Sequence, residues 1–112
     1  LRVFGYARWD ERAQAHADST DSQMSMRAMA AFAPDPETAA SLDLTGRLRE
    51  VTAPTLVLVG SLDGITGVKA GHLVADMLPN ATVTEIAGAA HYPWIDTPDE
   101  LRDAVVSFLA GG

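Results

Sequence analysis

Two short segments of this sequence carry side chains able to pass a proton between them. Gly60-Ser61-Leu62-Asp63-Gly64 offers a carboxylate, and Gly88-Ala89-Ala90-His91-Tyr92-Pro93-Trp94 an imidazole. A carboxylate beside an imidazole holds it in one tautomer and stabilises the imidazolium that forms during acyl transfer. Asp63 and His91 are therefore the candidate catalytic pair. Plainer roles exist for both: Asp63 in an Asx-turn before Gly64, and His91 as a loop histidine satisfied by backbone contacts. Tyr92 and Trp94 are candidate substrate-binding residues, or they pin the loop by packing. Asp76 and Asp96 are weaker acids. Asp76 falls on a solvated helix face, and Asp96 sits beside a helix N-terminus, where it favours the dipole.

The other chemistry-bearing residues have bland readings. His72 flanks the apolar stripe of its helix and His16 lies on a polar-leaning one; no two histidines have metal-ligand spacing, so no metal is expected. Trp9, Met24, Met26, Met29 and Phe32 fit core packing better than pocket lining. Gly60–Thr66 lacks both G-x-G-x-x-G and a phosphate-binding lysine, which argues against a nucleotide turn.

The elements that must position Asp63 and His91 are legible in residues 44–112. Thr55-Leu56-Val57-Leu58-Val59 is an unbroken, partly β-branched run, suited to a parallel strand covered on both faces. Ala70, Leu73, Val74, Met77 and Leu78 form one helical stripe, ended by Pro79-Asn80. Ala81–Ile86 reads as a second strand and Ala87–Asp96 as a long loop. In the last helix Thr97, Pro98 and Glu100 spell a capping box, Leu101, Ala104, Val105, Phe108 and Leu109 a buried stripe, and Gly111 a C-terminal stop. A strand–helix–strand–helix order implies an α/β fold with a parallel sheet, whose reactive groups gather at the carboxyl ends of the strands. The spacing from Asp63 to His91 is what two loops, one helix and one strand consume.

Residues 1–43 read as helical. A helix is predicted over Trp9–Ala17, then a polar break Asp18–Ser22. A second is predicted over Gln23–Phe32, with Met26, Met29, Ala30 and Ala33 at helical spacing, stopped by Pro34-Asp35-Pro36; a short piece over Glu37–Leu42 follows.

The stretches Ala53–Asp63 and Ala87–Pro98, with the closing helix, resemble the acid strand and histidine loop of α/β-hydrolases, in particular proline iminopeptidase-like hydrolases and esterases. The resemblance spans residues 44–110. It implies the C-terminal part of an α/β-hydrolase sheet, with residues 1–43 as the end of a helical cap and 44–112 as core. It also implies a triad in which Asp63 orients His91 and a nucleophile attacks an ester, amide or related acyl substrate, with no cofactor. The family's G-x-S-x-G elbow is absent around Ser19, Ser22, Ser25, Ser41, Ser61 and Ser107. The nucleophile and further strands are therefore expected upstream of Leu1, in a missing N-terminal portion that is this chain's partner, and the chain alone is expected to be inactive. The alternatives are a non-catalytic or truncated small-molecule binder, and an aspartate-nucleophile relative acting on epoxides or haloalkanes.

Composition narrows the partners. A net charge of −7 with scattered Lys and Arg disfavours nucleic acid. No apolar run is long enough for a membrane span, and Leu1–Gly5 does not begin a signal peptide. The lack of cysteine excludes disulfides and thiolate chemistry and fits the cytoplasm, the expected location.

Overall fold

The apolar run forms strand β1 (Thr55–Gly60), and Ala81–Ile86 forms β2. They pair in parallel from Thr55 opposite Ala81 to Gly60 opposite Ile86, so both chains leave the pair at the same end. This computed structural model describes residues 2–32 and 35–111, and among these the sheet has two strands. After Gly60 and a seven-residue loop the chain enters α5 (Val68–Asp76), preceded by α1 (Glu11–Gln23), α2 (Met26–Phe32), α3 (Pro36–Ser41) and α4 (Leu44–Arg47). After β2 come the single turn α6 (Pro93–Asp96) and the closing helix α7 (Pro98–Leu109).

Both strands lie where the sequence predicts, but β1 is only half-covered, not sealed on both faces. Helix α5 and β2 cover it in part; among the described residues nothing else pairs with its other edge. Helix α5 also presents a different face from the predicted one. Leu73 and Val74 are exposed, whereas Ala75 is buried, and a Cβ at Gly71 would collide with the side chain of Val59. The close approach of helix to strand selects the smallest residues, not the largest.

Helix α1 begins after Trp9, with Asp10 accepting the Ala13 N–H at 3.0 Å, and continues through the predicted break at Asp18–Ser22. The hydroxyls of Ser19 and Thr20 donate to His16 O, and that of Ser22 to Ser19 O, so these polar side chains fold back on the helix itself. The next helix starts later than predicted, at Met26, with Ser25 Oγ accepting the Ala28 N–H. Ala33 and Pro34, the predicted end of its stripe and its stop, lie outside the described residues, as does Leu1; Asp35 caps α3 instead. The turns over Leu44–Glu50 were not legible as helix.

In α7, Pro98 and Gly111 hold their predicted positions, Gly111 at φ +79° donating its N–H to Phe108 O. The capping box does not form. Thr97 makes no cap bond, and its hydroxyl is buried without a partner among the described residues. Leu101, Ala104, Val105 and Phe108 are half-buried and Leu109 is exposed, so the stripe is only partly covered.

The whole has a surface of 8006 Å² and a radius of gyration of 16.2 Å. A compact monomer of this size should show about 5,900 Å² and roughly 13 Å. Exposed apolar side chains, among them Phe4, Met26, Phe32 and Leu109, contribute to that excess.

Candidate active site

Asp63 and His91 meet where the two strands end. His91 Nδ1 lies 3.0 Å from Asp63 Oδ2, with the carboxylate side chain 8% exposed and the imidazole 33%. The loops carrying them are laced by backbone. Ser61 N–H donates to Ile86 O (3.0 Å), Leu62 N–H to Ala89 O (2.8 Å), and Gly88 N–H to Ser61 Oγ (3.0 Å). Gly60 permits this approach, because a Cβ there would run into the carbonyl oxygens of Ala89 and Ala90.

The two readings of Asp63 turn out to be compatible. Oδ1 closes an Asx-turn, accepting the N–H groups of Ile65 (2.8 Å) and Thr66 (3.2 Å), while Oδ2 takes the Thr66 hydroxyl (2.5 Å) and faces His91. Burial pushes the carboxyl up, but hydrogen bonds from Thr66, His91 and the Ile65 and Thr66 amides outweigh it and hold it well below the usual carboxylate range. An ionised carboxylate only accepts, so the proton in the 3.0 Å contact sits on Nδ1. His91 Nε2 is then the basic nitrogen.

Comparison with known proteins bears on the fold and the family. The chain is 38% identical over 68 residues to the pimeloyl-[acyl-carrier protein] methyl ester esterase of Serratia marcescens, a match covering 61% of this chain and 27% of that protein. Among solved structures, Est816, described as an N-acyl homoserine lactone degrading enzyme, matches with 30% identity and a TM-score of 0.60, covering 71% of this chain and 31% of that one. A thermophilic esterase superposes over 99% of this chain and 44% of its own with a TM-score of 0.72; at 22% identity it shows the fold alone. No family model matches. Over the part they cover, these matches place the chain with the α/β-hydrolases. It spans about a quarter of the length of the curated relatives it matches.

In this α/β-hydrolase chain a hollow of about 280 Å³ opens beside the pair, lined by Asp63, His91, Thr66, Gly67, Ala90 and Pro93 together with the exposed side of β1 and α5. Tyr92 and Trp94, the predicted substrate-binding residues, do not line it. Tyr92 packs against Tyr6 (ring centroids 4.8 Å), His16 (5.0 Å), His91 (5.2 Å) and Trp94 (5.5 Å), which makes it a pin for the loop. Trp94 is 49% exposed. His16 belongs to the same aromatic cluster; burial, with Tyr92 alongside, raises the Tyr6 phenol, whose oxygen shares a hydrogen bond with His16 Nδ1 at 2.7 Å. His72 pairs with Glu85 at 2.9 Å, away from the site. No group of acids and histidines able to hold a metal exists among the described residues, and no helix among them is long and apolar enough to cross a membrane.

One residue beside the pair was missed and another was given a different role. Thr66 sits three positions after Asp63, a spacing at which a side chain can reach back, so a signal existed. Asp96 reads in the sequence only as a weaker acid candidate. It does not serve the dipole of α7 as predicted; its carboxylate turns to the backbone of Ala7 and Ala90.

Proposed function

We propose that this chain supplies the acid and histidine of a nucleophile–histidine–acid triad that hydrolyses an ester, amide or related acyl compound. Residues 44–112 form the C-terminal part of the catalytic core and residues 1–43 the end of a helical cap. The observation that carries this reading is the 3.0 Å contact between His91 Nδ1 and Asp63 Oδ2, made beside an open hollow. A serine supplied by residues outside these 112 attacks the acyl carbon while His91 Nε2 takes its proton. His91 then returns that proton to the leaving group, and Asp63 stays ionised throughout, steadying the imidazolium. The esterases among the relatives support an ester as the substrate.

The test is His91→Ala in the protein that carries the nucleophile, assayed with a p-nitrophenyl ester. Turnover should drop by at least about 10³-fold, with the circular dichroism spectrum retained. Unchanged turnover removes the general-base role.

A further inference from the structure

The carboxylate of Asp96 ties its own loop to a segment 89 residues away in sequence. Its Oδ2 accepts the Ala90 N–H at 2.8 Å, and both its oxygens accept the Ala7 N–H at 3.1 Å. The next amide, that of His91 itself, donates to Gly5 O at 3.0 Å. Consecutive peptide groups leading into His91 are thus held, one by Asp96 at the far end of the same loop and one by a distant segment that Asp96 also grips. Steric fit reinforces the clamp, since a Cβ at Gly5 would lie 2.6 Å from the Tyr92 ring. The position of Asp96 at the end of α6 is fixed in turn by its own N–H, which donates to Tyr92 O at 3.1 Å.

From this geometry we infer that Asp96 is a positioning residue: with Gly5 it clamps the backbone beneath His91, so that Nδ1 stays directed at Asp63. A carboxylate suits the task because it offers acceptors alone. Both oxygen positions face the Ala7 N–H, so an amide in either orientation would set an NH₂ group against that donor. The catalytic consequence rests on the hydrolase reading above, whereas the clamp itself does not.

The protein that carries the nucleophile, labelled with ¹⁵N, allows a test without turnover. The hydrogen-bonded Nδ1 proton of His91 should give a downfield resonance, assigned by its loss in His91→Ala. Asp96→Ala and the isosteric Asp96→Asn should both abolish or broaden that resonance and bring in the Nε2-protonated tautomer. The Ala7 and Ala90 amides should exchange about tenfold faster, with the circular dichroism spectrum retained. Asp96→Asn alone decides the matter if Asp96→Ala does not fold. A resonance lost in Asp63→Asn yet unaltered in both Asp96 variants overturns the positioning role alone, and leaves Asp96 a merely structural tie. One that survives Asp63→Asn overturns the acid–histidine reading itself.

Discussion

The helices spanning residues 26–51 and the loops at 60–66 and 86–96 draw on similar small and apolar residues, yet they are held in opposite ways. No described residue of 26–51 is buried, and Phe32 is 86% exposed. In the loops Ala89 is 0% exposed, between strands that are themselves half-open. The loops owe their order to backbone hydrogen bonds between residues small enough to let two chains touch. The helices carry apolar side chains that need an opposing surface, and these residues do not provide one. An acid–histidine contact can therefore be well formed where the surrounding core is thin.

The strongest way to break this contrast is to remove the close approach. Gly60→Val places a branched side chain against the carbonyl oxygens of Ala89 and Ala90. Backbone cannot step aside as a flexible side chain can, so the change should cost about 3 kcal/mol or more in denaturant unfolding. A cost below about 1 kcal/mol would mean that the loops are not held by their mutual contact.

Asp63→Asn sharpens the same contrast through pH. The variant keeps one acceptor but loses the charge that four donors share, and should be less stable by about 2 kcal/mol at neutral pH. Because the folded carboxyl is held below its unfolded value, its contribution is fully present above the unfolded pKa near 4 and fades as pH falls toward the folded one. The stability gap between wild type and variant should therefore be constant from about pH 7 to 5 and narrow steadily below about pH 4. A gap as wide at about pH 2 as at about pH 7 would assign the loss to packing rather than to charge.

What was legible in the sequence follows the same division. Periodicity and turn residues located both strands, the helix between them, and the loops of Asp63 and His91, because those features arise within a few residues of each other. Legibility ended where contacts join distant segments. Asp96 reads as a helix-dipole acid until Ala7 arrives from the other end of the chain, and Tyr92 reads as a pocket residue until Tyr6 and His16 stack on it. The buried face of α5 was misjudged for a related reason. Apolar spacing favours Leu73 and Val74, but the approach of Val59 to Gly71 decides which side faces the strand.

The smallest expected effect lies in the exposed helices and is the most direct check on them. Met26→Ser and Phe32→Ser remove apolar side chains that touch little, so each should change stability by under about 0.5 kcal/mol, most of it helix propensity. The same measurement made at increasing protein concentration separates two kinds of failure. A larger, concentration-independent cost would mean that the stripe packs on the chain's own core in solution. A cost that grows with concentration would mean that a second copy covers it. Either result would erase the difference between the two regions, since both would then be sealed by partners and not one by backbone alone.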